Sequence, residues 1–198
     1  MDWNERYARF GNVFGEDPHP WVVNCVSRLL TGRASAGEPS ATGPSVPASS
    51  PAAGSSSGHD DARRPRLLFP GDGCGRNGLW AAEAGCSVVA FDISEIAVNA
   101  ANTRARQRGL DYASIVADAN ALASGVAWPF GELDGICSVW FRPGTAAQYA
   151  AWNALAASRL GPAGEVCVVT SDAVSSEERE PGFWPEGLSL CVRVEPVS

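Results

Sequence analysis

Hydrophobic and polar positions change their spacing several times along this chain, and each change marks an element. Apolar residues at 22, 25, 26, 29 and 30 keep the i, i+3, i+4, i+7 rule of one helix face, which predicts a helix over 19–31. No period survives from 32 to 65. Beyond it, Leu67, Leu68 and Phe69 form a short apolar run, read as a strand over 66–70, and an amphipathic stretch makes 76–84 a helix. Residues 87–92 are apolar up to a terminal acid, as in a strand buried on both faces. Ser94 offers a cap for a helix reaching Arg108, and Gly109 ends it. Strands follow at 112–117, 133–141 and 165–170, with an Ala-rich helix over 145–160 closed by Gly161-Pro162. The stretch 188–194 alternates apolar and polar positions, the period of one more strand. Only a short helical piece fits between the third and fourth strands. The order β-α-β-α-β-β-α-β with short connections predicts an α/β fold, a doubly wound, mainly parallel sheet with right-handed crossovers.

Composition changes the picture in two places. Residues 32–65 collapse to Ala, Ser, Pro and Gly with Val46 as the one large aliphatic, too little apolar area to offset ordering entropy. This predicts a disordered low-complexity insert within one domain spanning 1–198. Residues 1–18, by contrast, carry Trp3, Tyr7, Phe10 and Phe14 among charges, so this segment packs on something.

Charge and chemistry then exclude several functions. The net charge is −7, which argues against nucleic-acid binding, and all fifteen basic residues are arginine, so no Schiff-base or P-loop lysine exists. The six cysteines (25, 74, 86, 137, 167, 191) form no Cys-x-x-Cys pair and read as reduced, buried thiols rather than zinc ligands. Only His19 and His59 are available, which disfavours a histidine metal site or triad. No apolar run reaches the roughly 18 residues of a membrane span. The expected protein is a cytoplasmic monomer without metal, membrane or nucleic-acid partner.

The chemistry concentrates at 66–78. An apolar strand feeds a loop with Gly71, Gly73, Gly75 and Gly78, and a helix starts at once. Glycine tolerates positive φ there and lets backbone N–H groups close on a ligand at the helix N-terminus. Two cofactors suit such a turn. Gly73-x-Gly75-x-x-Gly78 with Asp92 satisfies the dinucleotide pattern, which would make the chain an NAD(P)-dependent oxidoreductase. S-adenosylmethionine asks in addition for an acid ending the third strand, and Asp118 stands there.

The run Pro70-Gly71-Asp72-Gly73-Cys74-Gly75-Arg76-Asn77-Gly78 resembles the Gly-x-Gly-x-Gly-Arg-Asn motif of class I S-adenosylmethionine-dependent methyltransferases, in their tellurite-resistance and thiopurine-methyltransferase-like branch. Trp3-Asn4-Glu5-Arg6-Tyr7, Phe91-Asp92-Ile93-Ser94, Ala117-Asp118-Ala119 and Leu133-Asp134-Gly135-Ile136 extend the resemblance over nearly all of the chain outside the insert and the tail. It implies a Rossmann-like methyltransferase fold and methyl transfer from S-adenosylmethionine to a small-molecule thiol, chalcogen or similar nucleophile. Gly71, Gly73 and Gly75, with Asp72 and Asn77, would line the methionine end of the cofactor. Asp92 would hold the ribose hydroxyls, Ile93 the adenine face, and Asp118 with the Ala119 amide the adenine edge. Ser138 and Val139 would face the sulfonium, and Trp3 and Tyr7 would fold over the site as a lid. No catalytic residue is assigned, since an activated methyl donor needs alignment more than a base. The sequence departs from the pattern at Phe69-Pro70, where an acid is usual, at Cys74, and at Phe141-Arg142-Pro143 in place of His-Leu-Pro. After the fifth strand there is room for one strand rather than a hairpin, so a truncated C-terminal β-hairpin is expected. A non-catalytic cofactor-binding remnant is the accompanying alternative.

Overall fold

The computed structural model describes residues 2–36, 64–171 and 189–195. Six strands form one sheet in the order β3-β2-β1-β4-β5-β6. They are β1 (Arg66–Pro70), β2 (Ser87–Asp92), β3 (Tyr112–Val116), β4 (Leu133–Val139), β5 (Leu160–Ser171) and β6 (Ser189–Glu195). Each adjacent pair is parallel, β5 with β6 included. Among the described residues there is no antiparallel pair, and β6 extends the parallel order.

Helices α1 (Trp3–Phe10), α2 (Pro20–Ala36), α3 (Arg76–Glu83), α4 (Glu95–Arg108), α5 (Ala119–Ala123) and α6 (Ala146–Ala157) complete the described elements. The side-chain alternation of the strands divides the core into two layers. Leu67, Phe69, Val88, Ala90, Cys137 and Cys167 pack with Val22, Val26 and Leu29 of α2 and with Leu79, Ala101 and Ala105 of α3 and α4. Leu68, Val89, Phe91, Ile136, Val166 and Val168 face the other way, onto Leu122 of α5 and Tyr149, Trp152 and Ala156 of α6. Val89, Leu68, Ile136 and Val166 lie side by side across four strands.

Several boundaries differ from expectation, each for a local reason. α1 lies where only a packed segment was expected; Asp2 and Glu5 close a capping box, with Glu5 N donating to Asp2 Oδ1 at 2.7 Å and Asp2 N to Glu5 Oε2 at 3.2 Å. α2 starts with Pro20 and runs through 32–36, because no proline interrupts it before Pro39. The expected insert therefore overlaps a helix at its start, and its last residue, Pro65, is buried beside β1. Residues 37–63 of that insert lie outside the described residues. α6 ends at Ala157, and Gly161-Pro162 fall inside β5, whose pairing with β4 shifts register between Leu133 and Gly135. β4 stops at Val139, two residues short of expectation.

Candidate active site

The order of the sheet reverses between β1 and β4, so the loops leaving their carboxyl ends diverge and open a crevice. The loop after β1 is fastened to the end of β2: the amides of Gly71 and Asp72 both donate to Phe91 O, at 2.8 and 3.3 Å. Gly73 adopts φ +58°, and a Cβ there would collide with the Tyr7 hydroxyl. Gly75, at φ +86°, is the left-handed cap of α3, and a Cβ would stand 2.9 Å from Leu79.

Asp92 ends β2 and organises this loop. Its Oδ2 accepts from Gly73 N at 3.0 Å and its Oδ1 from Ser94 N at 2.9 Å. Burial raises its pKa above the ordinary carboxylate value, against the lowering effect of these amides. Asp72 sits deeper in the loop, with Oδ2 accepting from Tyr112 Oη at 3.1 Å and Oδ1 from Gly78 N at 3.3 Å. Burial pushes its pKa up to about 7, and Tyr112, also shut in and facing that carboxylate, is raised well above the ordinary phenol value. The acid missing at the strand end is thus replaced by one two residues on, turned into the loop. Asp118 ends the β3 segment as the cap of α5, its Oδ1 accepting from Asn120 N at 2.9 Å. Asn120 in turn donates to Pro143 O at 2.6 Å, tying this corner to the loop after β4.

The N-terminal segment crosses this framework and is held at several points. Asn4 Oδ1 accepts from Ser94 Oγ at 2.8 Å and from Ile96 N at 3.4 Å, so it completes the N-terminus of α4 from another helix. Tyr7 is buried with Cys74 and Ala97. Arg76 donates to Phe14 O at 2.8 Å, and His19 N donates to Asn77 Oδ1 at 2.8 Å. Glu16 pairs with Arg104 at 3.2 Å. An aromatic chain then runs Tyr7–Trp3–Phe14–Trp140, with centroid spacings of 5.8, 6.3 and 5.8 Å.

These parts enclose a cavity of about 350 Å³. Of the residues singled out in the sequence, Trp3, Tyr7, Gly71, Asp72, Asn77, Asp92, Ile93, Asp118, Ala119 and Val139 line it. Gly73, Gly75 and Ser138 do not. Tyr7 covers Gly73, and Gly75 faces Leu79 and Ala101. Ser138 is fully buried in β4, its hydroxyl without a hydrogen-bond partner; the strand's period of two turns it away from the side that Val139 presents.

Other wall residues were not among the expected site residues, including Asn12, Phe14, Arg76, Phe91, Asn120 and Trp140. The Gly-Arg-Asn run pointed at Arg76, but nothing in the spacing pointed at Trp140. Its backbone takes φ +51°, the single positive value at a non-glycine among the described residues, a conformation that costs roughly 1–3 kcal/mol when forced on a bulky side chain. Among the described residues no group of three or more His, Cys, Asp or Glu could hold a metal ion, and no helix is long and apolar enough to cross a membrane. Cys25, Cys74, Cys86, Cys137 and Cys167 are buried and form no disulfide.

No family model matches this sequence, and no curated protein matches it either. Solved structures do. A protein described by the conversion of a disulfide bond into a thioacetal group during echinomycin biosynthesis superposes with a TM-score of 0.53 at 20% identity, over 89% of this chain and 61% of that one. Magnesium protoporphyrin IX methyltransferase from Synechocystis, with bound SAM, gives 0.48 at 16% identity over 78% and 66% of the two chains. TrmN from Thermus thermophilus gives 0.45 at 29% identity over 55% and 34%. The chain spans less than two thirds of the length of each of these proteins. The likeness is one of fold: a Rossmann-like, doubly wound α/β architecture with a parallel six-stranded sheet.

Proposed function

We propose that this chain is an S-adenosylmethionine-dependent methyltransferase acting on a small-molecule thiol, chalcogen or similar nucleophile, as a monomer, in the branch that its Gly-Arg-Asn loop resembles. One observation carries the reading: Asp92 and Asp118, at the ends of successive strands, line a single cavity with the glycine loop. The donor set fits the cofactor. Two carboxylates suit a ribose diol and an adenine amine, and Trp3 and Tyr7 suit a sulfonium. The volume lies near the lower end of the roughly 300–1,000 Å³ found for small-molecule sites.

When bound, S-adenosylmethionine supplies an already activated methyl group. The chain's residues bind, orient and exclude water. Asp92, fixed by the Gly73 and Ser94 amides, would offer its remaining lone pairs to the ribose, and Ile93 would pack on the adenine. Asp118, whose Oδ1 caps α5, would accept from the adenine edge. Gly71, Asp72 and Asn77 form the methionine end with the loop backbone, which Gly73 and Gly75 shape from behind. Val139 stands at the reacting end, and the rings of Trp3 and Tyr7 close the roof. These residues would hold an acceptor in line with the methyl group, so that orientation supplies the rate.

Calorimetry decides the reading. S-adenosylhomocysteine should bind with one site per chain, and NAD should not. Binding of NAD alone would sink the proposal and favour an oxidoreductase. A chain that binds neither and melts without cooperativity would favour the non-catalytic remnant.

A further inference from the structure

We propose that Trp140 is the acceptor-selecting residue of this cavity and that Arg76 is its positioning residue. The proposal rests on the methyltransferase reading and assigns it an acceptor wall. Trp140 follows β4 directly, on the side of the crevice opposite the glycine loop and Asp92. Its amide still donates to Val169 O at 2.8 Å, so the backbone is pinned to β5 while φ swings to +51°. A left-handed tryptophan persists only where its surroundings over-determine it, and such residues concentrate at functional sites. Here three side chains do so. The Arg76 guanidinium stands 5.3 Å from the Trp140 ring and 5.9 Å from the Phe14 ring; Phe14 itself is 5.8 Å from Trp140; and His19 meets the indole edge-on at 5.9 Å.

Nonetheless the indole remains 44% exposed and lines the cavity. A ring so heavily supported and yet left open towards the cavity is placed to be met by a ligand. Arg76 opens α3 straight after the glycine loop, so it holds Trp140 in fixed relation to that loop. The width left for an acceptor is therefore set by one indole, whose position one guanidinium maintains.

The test uses the whole chain with three variants, Trp140→Phe, Trp140→Gly and Arg76→Gln; glycine accepts the backbone angle and removes the ring. S-adenosylhomocysteine affinity is measured first by calorimetry and should stay within about threefold of wild type in all three. Methyl transfer is then followed with two probes, methanethiol and thiophenol. Trp140→Gly should shift the kcat/KM ratio of the two by tenfold or more towards thiophenol, mainly through KM. Arg76→Gln should shift it in the same direction by less, and Trp140→Phe should keep the wild-type preference. An unchanged ratio in Trp140→Gly overturns the proposal, as does a loss of cofactor affinity that accounts for the whole effect. A wild-type chain that binds S-adenosylhomocysteine but methylates neither thiol also overturns it while sparing the cofactor assignment. Absence of cofactor binding strikes the methyltransferase reading itself.

Discussion

The wall of the cavity formed by the ends of β1, β2 and β3 is made of backbone amides and short carboxylates, whereas the facing wall is made of rings and guanidinium groups. On the first, Asp92 is gripped by two amides within 3.0 Å, and the loop amides are gripped in turn by Phe91 O. On the second, Trp3, Phe14 and Trp140 touch one another at 5.8–6.3 Å and stay 38–44% exposed. Backbone hydrogen bonds fix position to tenths of an ångström and tolerate little change. Stacked side chains fix a plane and can re-pack. The contrast separates a floor set by backbone hydrogen bonds from a roof set by side-chain packing, which the proposed function would give to the cofactor and to the acceptor respectively.

The largest expected effect breaks the floor. Asp92→Ala removes a buried acceptor that also holds Gly73 and Ser94, and should weaken S-adenosylhomocysteine binding about 100-fold, roughly 2.7 kcal/mol, in calorimetry. Retained affinity would dissolve the distinction between the two walls. Gly73→Ala tests where floor and roof meet, because a Cβ at φ +58° strikes the Tyr7 hydroxyl. It should cost about 2 kcal/mol of stability in thermal or urea unfolding, and pairing it with Tyr7→Phe should recover about 1 kcal/mol.

A pH experiment sharpens the floor further. The Asp72 carboxyl is raised by burial to about 7, above its value of 3.8. The folded chain therefore binds this proton more tightly than the unfolded chain, so the contribution is full below about pH 4 and is lost as pH rises through about 7. Asp72→Asn can still accept from Gly78 N and donate to Tyr112 Oη. Its stability relative to wild type should climb by about 1–2 kcal/mol between pH 5 and pH 8, read as melting temperature against pH. A difference that is flat with pH would show that Asp72 titrates normally. The smallest effect loosens the roof alone: Asn4→Ala should cost about 1 kcal/mol, the value of a helix-capping oxygen, with the floor's Asp92 contacts intact.

Sequence reasoning reached the floor and much of the sheet, and the reason is physical. Floor residues sit where a strand ends, and strand ends are announced by local patterns: Leu67-Leu68-Phe69 before the glycines, the apolar run before Asp92, Val116 before Asp118. The roof is assembled from segments distant in the chain, so no period or spacing brings Phe14, Arg76 and Trp140 together. α1 was legible in principle, since Asp2-x-x-Glu5 is a capping-box pattern and Trp3, Tyr7 and Phe10 keep the i, i+4, i+7 spacing of one helix face, but eight residues give that spacing only two turns in which to show. The end of β4 was misplaced because Trp140 and Phe141 have strand-forming side chains, and only the tertiary contacts of Trp140 impose its left-handed turn. Ser138 and Val139 illustrate the same limit at finer scale: the strand was legible, yet which of two neighbours faces the cavity depends on where it stops.

The two exposed indoles at the cavity, Trp3 and Trp140, contrast with Trp152, which is wholly buried in the α6 layer. The molecule therefore carries its own optical gauge. Occupying the cavity should shield Trp3 and Trp140 from acrylamide, which removes their share of the quenchable emission of the chain's seven tryptophans. A quenching titration would then report ligand entry on an unlabelled chain, including ligands that are never turned over.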